Sequence, residues 1–309
     1  MPIRLVPDGT KIPFMRGRIM GLVVSAVLSL ASVVLFFYPG MNYGIDFKGG
    51  ILLEVRTPEP ANFAEMRAAI AGAGVGEVAL QQFGSPTEVL VRMEAQESEA
   101  AQSRAVAAVR AALDQAMPGA RIVRTEAVGS RVSAELFTAG MTALGMSLLA
   151  ILLYIWFRFE WQFAVGGVVT LILDVTKAIG FLAITRIEFD LATVAALLTI
   201  IGYSVNDKVV VYDRMRENLR KYKTMPLREL IDLSINETLS RTIGTSATAF
   251  LAMLPLALLT SGAIEGFAWT MLFGIVVGTS SSIFIAAPIL LFLGENRLRR
   301  GTEAAAAAG

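Results

Sequence analysis

The hydropathy pattern divides the chain into one apolar run, a long mixed segment and five further apolar runs. Each run has close to 20 residues or more, the length that an α-helix needs to cross the hydrocarbon core of a bilayer. The predicted spans are 19–38, 136–157, 163–184, 191–212, 242–260 and 267–293. The sequence therefore predicts six transmembrane helices. The last run is longer than a bilayer requires, so we expect it to tilt or to bend near Pro288.

The segment between the first two spans is charged, of mixed sign, and has no spanning run. Its pattern predicts strands at 44–56, 77–83, 87–93 and 121–128 and helices at 62–73 and 98–117. A turn signal, Gly84-Ser85-Pro86, separates the second and third strands. The order βαββαβ is that of a ferredoxin-like sandwich. The predicted fold class is a membrane all-α bundle of six helices plus one external α+β ferredoxin-like domain.

Basic residues predict the orientation, because Lys and Arg collect in cytoplasmic loops. They cluster before the first span, after the fourth and after the sixth, whereas the short loops 185–190 and 261–266 contain a single Arg between them. Both termini are thus predicted to be cytoplasmic. The predicted layout is an N-terminal segment (1–18), a first helix (19–38), an external domain (39–134), a five-helix bundle (135–294) with a cytoplasmic amphipathic segment (213–240), and a tail (295–309).

Composition narrows the chemistry. The chain is 55% hydrophobic, which is typical of a membrane protein, and its net charge of +1 gives no argument for nucleic-acid binding. It has no Cys and no His. Disulfides, thiolate nucleophiles and Cys-ligated metals are therefore excluded, and the commonest metal ligand is missing. We expect no cofactor, and any proton transfer must use carboxylates, Lys or Tyr.

Ionisable residues inside the predicted spans are the candidate functional residues, since each costs roughly 2.5–3.5 kcal/mol on insertion scales. Asp174 and Lys177 lie three apart and share a helix face; a neutral structural pair and a functional role are equally compatible with this spacing. Asp207 and Lys208 are adjacent and point about 100° apart, so they address different neighbours. Arg241 opens the fifth span at a similar depth, which makes an Asp207–Arg241 contact geometrically reasonable.

An intramembrane carboxylate beside cations is what a proton relay requires, so we favour this role for Asp207 over that of a permanently ionised partner of Lys208 or Arg241. Helix motion that separates Asp207 from these cations is expected to let it take up a proton. Small residues predict close helix contacts at four positions in the last three spans. These positions are Gly202, Gly244, Gly274 and Gly278.

Six stretches of the chain resemble the SecF branch of the SecD/SecF family, within the RND transporter superfamily. They are GIDFKGG (44–50), VGSRVSAEL (128–136), YIWFRFEW (154–161), AALLTIIGYSVNDKVVVYDRMREN (195–218), LSRTIGTSATA (239–249) and GTSSSIFIAAP (278–288). Together they extend over nearly the whole chain in order, and the fourth is the most specific.

The resemblance implies an auxiliary, non-enzymatic subunit of the Sec preprotein translocase in the bacterial inner membrane, with a periplasmic ferredoxin-like domain and SecD as partner. It implies that the proton-motive force drives periplasmic-domain movements, which help to export a preprotein that SecA has pushed into the SecYEG channel. In the family, the Asp of the Asn206-Asp207 pair and the Arg at 241 belong to the proton path. Lys208 stands where Thr is expected, and Leu173 stands where His is expected, with Lys177 one turn on; both departures add cations beside the implied path.

Three rival functions are weighed against this one. A half-transporter of the RND type that exports a small molecule fits the spans, but the external domain of about 90 residues is compact for that class. An intramembrane aspartyl protease would use Asp174 and Asp207, but the cations disfavour a carboxylate pair that shares a proton. A structural translocon subunit without ion coupling would tolerate Asp207→Asn.

Overall fold

The computed structural model describes Pro7 and residues 10–83, 85–96 and 98–293. Gly84 of the predicted turn and the tail 295–309 lie outside these residues. The helices are α1 (Arg18–Leu35), α2 (Ile45–Lys48), α3 (Phe63–Ala71), α4 (Glu99–Ala116), α5 (Ser130–Arg158), α6 (Trp161–Thr185), α7 (Leu191–Lys221), α8 (Leu227–Leu259), α9 (Ala263–Ser281) and α10 (Ala287–Leu293). The strands are β1 (Gly50–Arg56), β2 (Val78–Phe83), β3 (Ser85–Met93) and β4 (Arg121–Val128).

Six helical segments in the described part of the chain are long and apolar enough to cross a membrane. Their bounds are 14–40, 130–158, 161–185, 191–221, 227–259 and 263–293. They correspond one to one with the six predicted spans. In the last of them, a π-helical turn at Ser282–Ala286 joins α9 to α10 directly before Pro288, where a bend was expected.

The predicted amphipathic segment 213–240 is divided between two long helices. Helix α7 continues without interruption to Lys221, and α8 starts at Leu227 and runs through to Leu259. The reason is physical: helix propagation is favourable once nucleated, and no Gly or Pro interrupts the chain between Tyr212 and Pro226. The apolar face of this segment is buried, as the fully buried Leu230 and Ile231 illustrate.

The sheet between α1 and α5 is antiparallel, with strand order β2-β3-β1-β4. Alternate residues of β1 (Ile51, Leu53 and Val55) pack against α3 and α4 to form a separate core. The side chains of Asn62 and Ser98 cap the two helices by accepting backbone N–H groups of their first turns. The predicted first strand, 44–56, is wrong at its start, because 45–48 form one helical turn.

Two glycines explain why the first strand starts later than predicted. Gly49 and Gly50 have φ values of +72° and +125°, which side chains with a Cβ rarely adopt. They turn the chain sharply from α2 into β1. A Cβ on Gly50 would lie 2.5 Å from the carbonyl oxygen of Met93. The extended backbone of the first strand therefore begins only after this pair.

Small residues also set the packing of the membrane helices, as expected in a lipid environment. A Cβ on Gly274 of α9 would overlap Ile200 of α7, and one on Gly278 would lie 3.2 Å from the Ser204 side chain. These two predicted contacts are confirmed. The prediction is wrong for Gly202 and Gly244, which have open space where a Cβ would stand.

Ion pairs join the helix ends on the side where the basic cluster lies. They connect Arg158 with Asp213 (2.9 Å), Arg216 with Glu160 (3.0 Å) and Arg214 with Glu237 (2.8 Å). Residues before α1 dock on the same side, where Asn236 of α8 exchanges two hydrogen bonds of 2.9 Å with the backbone of Ile12. These ion pairs therefore join α7 to α5, to the loop between α5 and α6, and to α8.

Candidate functional site

Asp174 lies at the point where α6, α7 and α9 meet, and it is 1% exposed. Its Oδ2 atom accepts hydrogen bonds from Ser204 Oγ (2.7 Å), Ser281 Oγ (2.7 Å) and Lys208 Nζ (2.9 Å). Ser204 and Lys208 come from α7, and Ser281 is the last residue of α9. One carboxylate oxygen thus joins three helices through three donors.

Lys208 is equally well held. Its ammonium also donates to the carbonyl oxygen of Ser204 (3.3 Å) and to Ser281 Oγ (3.2 Å). Charge-assisted bonds of this kind are among the strongest in proteins. The sequence indicated that Lys208 would address a neighbour other than Asp207, and that neighbour is Asp174.

Lys177 completes this cluster but binds more loosely. Its Nζ lies 3.6 Å from Asp174 Oδ1, so the predicted contact on one helix face is present. Among the described residues, neither Lys177 Nζ nor Asp174 Oδ1 has a hydrogen-bond partner. The cluster of Asp174, Lys177 and Lys208 therefore places two ammonium groups around one carboxylate.

Asp207 occupies a different setting on α7, although it is 2% exposed. Within the described chain, it has no ion pair shorter than 4.0 Å. Its Oδ2 faces the hydroxyl of Thr279 on α9 at 3.5 Å. That hydroxyl lies 2.7 Å from Ser246 Oγ on α8, which accepts a 3.0 Å hydrogen bond from Tyr203. A row of three hydroxyls thus leads from Tyr203 to the carboxylate.

Thr279 has one proton and three acceptors within reach, of which Ser246 Oγ at 2.7 Å is one. Its hydroxyl is 2.7 Å from the carbonyl oxygen of Ile275 and 3.5 Å from Asp207 Oδ2. The shorter bond is the stronger one, so the carboxylate is weakly solvated by the protein. Sequence reasoning missed Tyr203, Ser246 and Thr279, because Ser and Thr in membrane helices commonly bond to their own helix backbone and carry no distinguishing pattern.

The contact expected between Asp207 and Arg241 is not formed. Arg241 is exposed on α8, and the residue of α8 in the hydroxyl row is Ser246. Five residues separate these two positions, which is about 140° around the helix and about 7.5 Å along it. Asn206 is also exposed. Of the six predicted site residues, the structure brings together Asp174, Lys177 and Lys208, keeps Asp207 buried beside hydroxyls, and leaves Asn206 and Arg241 on the surface of the chain.

The two sites differ in the chemistry that they permit. The Asp174 carboxylate is saturated by donors on one oxygen and faces an ammonium on the other. Asp207 has hydroxyl neighbours, which can both donate and accept protons. In the described residues, the carboxylates do not group into a cluster that could ligate a metal ion. The two carboxylates share no hydrogen-bond partner there, so the arrangement of a protease dyad is not formed.

Six membrane-crossing helices, a small antiparallel sheet after the first of them and ionisable groups buried between helices define a multi-pass membrane protein of the transport class. The model of the C-terminal region of SecD/SecF protein export membrane proteins matches residues 108–296. The SecD/SecF GG motif matches residues 34–57. The chain belongs to the SecD/SecF family.

Similar proteins extend over almost the whole chain. The protein translocase subunit SecF of Rickettsia akari is 44% identical over 297 residues, which cover 96% of each chain. The one from Cereibacter sphaeroides is 41% identical over 302 residues, covering 96% of this chain and 93% of its own. These relatives identify the SecF branch, as the sequence motifs predicted.

Two solved structures of SecDF have the same fold. That of the translocon-associated membrane protein SecDF from Thermus thermophilus matches with a TM-score of 0.84 at 33% identity and covers 94% of this chain. SecDF in a super-membrane-facing form matches with a TM-score of 0.66 at 32% identity over 98% of this chain. The chain spans 40% and 41% of the length of those two chains.

Proposed function

We propose that this protein is the SecF-type auxiliary subunit of the Sec preprotein translocase in the bacterial inner membrane. In this role it acts with SecD, the SecYEG channel and SecA on a translocating preprotein, and it is a transport subunit rather than an enzyme. The names of the relatives support the first part, and the SecDF structures, in which this chain matches about two fifths of a longer chain, support SecD as partner.

The proposed topology has both termini in the cytoplasm and the domain between the first two spans in the periplasm. We assign this domain to the ferredoxin-like class, for which the strand order β2-β3-β1-β4 and the two helices packed on the sheet are the support. We propose Gly129 as its C-terminal boundary in place of 134, and the start of α5 at Ser130 is the support.

The proposal that the proton-motive force drives movement of the periplasmic domain rests on Asp207. A buried carboxylate without an ion pair is costly in a membrane, and such residues mark proton relays. Its hydroxyl neighbours are suited to pass a proton to it and from it. A further support is that SecDF structures of near-equal identity match with TM-scores of 0.84 and 0.66, which indicates that the fold adopts more than one arrangement.

The experiment is export of a secreted reporter into membrane vesicles that carry the whole translocase, with Asp207→Asn in this subunit. Asparagine keeps the size and hydrogen bonding of the side chain but cannot cycle a proton. Asp213→Asn is the matched control, since it is the same change on the same helix at a half-exposed ion pair. We expect Asp207→Asn to assemble normally and to reduce export to the level without the subunit, and Asp213→Asn to remain within about twofold of the parent.

The opposite result has a defined meaning. If Asp207→Asn assembles and exports like the parent, the carboxylate is structural, and the subunit stabilises the translocon without coupling to an ion. The Asp174 cluster is the observation that favours this second function, because one of its carboxylate oxygens ties three helices together through three donors. Transport of a small molecule by the pure complex, without preprotein, would instead favour the half-transporter.

A further inference from the structure

The segment between α1 and β1 forms hydrogen bonds with the loop before α7, although almost half of the sequence separates the two. The backbone N–H of Gly44 donates to Phe189 (3.0 Å), and that of Phe189 donates to Asn42 (2.7 Å). Tyr43 and Phe189 form an isolated parallel bridge with their rings in edge contact. Residues 42–50 are therefore attached to the outer end of the membrane bundle before the chain enters the sheet.

Asp46 extends this attachment to α7 itself. Its Oδ2 accepts a 3.0 Å hydrogen bond from the backbone N–H of Leu191, the first residue of α7. The first N–H groups of a helix lack partners within the helix, and the positive end of the helix dipole favours a carboxylate there. Asp190 caps the same turn by accepting the N–H of Thr193 at 2.8 Å. One helix end thus receives two carboxylates from two parts of the chain.

Two carboxylates at one place are not explained by stability alone. Burial, with smaller contributions from the charges of Asp46 and Glu188, raises the pKa of Asp190 to about 6. Asp190 and Thr193 already form the capping box of α7 without Asp46. The second carboxylate, Asp46, repels the first. It also forms a hydrogen bond that links α7 to the segment leading to the sheet.

The sheet contributes a second bond to the same loop. Arg92 of β3 forms an ion pair with Glu188 and donates to the carbonyl oxygen of Tyr43 at 3.3 Å. Next to it, Gly49 and Gly50 bring the chain against β3 and α5. A Cβ on Gly49 would lie 3.2 Å from Ser133 Oγ of α5. The segment 42–50, the loop 186–190 and Arg92 form one connected unit, which we name the junction.

Beyond the junction, the sheet stands apart from the bundle. A cavity of about 790 Å³ separates its outer face from the ends of the membrane helices. Leu52 and Gln81 line it from the sheet, and Glu265 and Trp269 line it from α9. The sheet is thus attached at the junction and through Gly129, which links β4 to α5, and the cavity leaves it room to tilt.

We propose that Asp46, together with the Arg92–Glu188 pair, is a positioning element that transmits displacement of α7 to the external sheet. Helix α7 carries Asp207 and Lys208 at a distance of about 24 Å from Leu191, at 1.5 Å per residue over 16 residues. An uninterrupted helix moves its two ends together, so a change at Asp207 displaces the junction. This inference rests on the proposed function, in which Asp207 carries the proton.

The test measures two quantities in vesicles that hold the complete translocase: preprotein export and proton flux reported by a pH-sensitive dye. Asp46→Ala removes the acceptor of Leu191 N–H, whereas Asp46→Asn keeps an acceptor without the charge. We expect Asp46→Ala to retain more than half of the Asp207-dependent proton flux and to lose at least fivefold in export stimulation. Asp46→Asn is expected to stay within about threefold. Asp114→Ala, an exposed acid on α4, is the control and is expected to change neither quantity.

A charge reversal tests the second bond and does not depend on the folding of the Asp46 variants. Arg92→Glu and Glu188→Arg singly are expected to lose export, and the two together are expected to recover at least half of it. The matched control is the Arg56–Glu88 pair, which joins β1 to β3 away from the bundle. Reversal of Arg56 alone is expected to leave export within twofold.

Several results would contradict the proposed role of the junction. The first is export by Asp46→Ala at the parental level. The second is loss of both proton flux and export by Asp46→Ala in an assembled complex, since a purely structural role gives that outcome. The third is a double reversal without recovery. The proposed function fails by a different result, namely parental flux and export by Asp207→Asn, so the two failures are distinguishable.

Discussion

The two buried carboxylates of the membrane bundle have the same chemistry and opposite surroundings. Asp174 has three donors on one oxygen and an ammonium beside the other. Asp207 has a hydroxyl at 3.5 Å and no ion pair within the described chain. The comparison teaches that burial alone does not define a functional acid. Under the proposed function, we expect the carboxylate held by charged donors to join the helices and the one with replaceable partners to exchange a proton.

The largest effect on stability is expected when the Asp174 cluster loses its main cation. Lys208→Met leaves a buried carboxylate with the loosely placed Lys177, and breaking a buried pair costs about 3–5 kcal/mol. Unfolding of the purified protein in detergent measures this loss. Lys177→Met is the matched control and is expected to cost less than about 1 kcal/mol, because it leaves one carboxylate with one ammonium. Equal losses in the two variants would contradict the difference drawn between the lysines.

A third carboxylate, Asp190, extends the comparison to the outer end of α7. Its folded pKa of about 6 exceeds its usual value of 3.8, so the folded state binds more protons between these values and stability falls as pH rises through that range. Asp190→Asn keeps an equally good cap and removes this penalty. We expect a gain of roughly 3 kcal/mol at pH 7.5 and about half of that at pH 5, from 1.36 kcal/mol per pKa unit.

Denaturation at the two pH values measures the Asp190 effect. The matched control is Asp114→Asn at an exposed position of α4, a substitution expected to change stability by less than about 0.5 kcal/mol. A loss of stability in Asp190→Asn at pH 7.5 would show that its charge supports the helix end more than burial opposes it.

Asp207→Asn is expected to have a smaller effect on stability, in contrast to its effect on export. Removal of a buried charge without an ion pair is neutral or stabilising, by up to about 1–2 kcal/mol. The same detergent unfolding measurement decides it. A destabilisation above about 2 kcal/mol would reveal a strong partner for this carboxylate and would erase the contrast with Asp174.

The smallest effect is expected at Thr279. Thr279→Val keeps the shape of the side chain and removes the hydroxyl between Asp207 and Ser246, at a cost of about 1 kcal/mol. We expect a reduction of export by several fold, with Thr248→Val, an exposed hydroxyl on α8, as the control that exports normally. Unchanged export by Thr279→Val would remove the hydroxyl row from the proton route.

The sequence predicts most of the fold because its signals are local. Apolar length gives the six spans, and alternation with turn residues gives the order of strands and helices. The face shared by Asp174 and Lys177 follows from helical spacing. The Asp174–Lys208 pair does not, since it depends on which helices are neighbours, and that is decided by packing at residues such as Gly274 and Gly278. The position of Lys208 next to Asp207 on α7 does not indicate which neighbouring helix the Lys208 side chain contacts.

The same reason explains why the Asp207–Arg241 contact predicted from the sequence is not formed. Depth along two helices is readable from a sequence, but rotation of one helix against the other is not, and a 140° error exchanges a buried position for an exposed one. The start of β1 was misplaced for a local reason, because the two glycines at 49 and 50 leave the extended conformation that the flanking residues favour.

The junction also has a consequence for the time course of biosynthesis. Asp46 and Leu191 are 145 residues apart, so at 5–20 residues per second the ribosome needs roughly 7–30 s to deliver the second partner after the first. The external sheet has all its strands within 50–128 and can form during this interval. We therefore expect the domain to fold before its hydrogen bond to Leu191 forms, since that bond requires synthesis of the loop before α7.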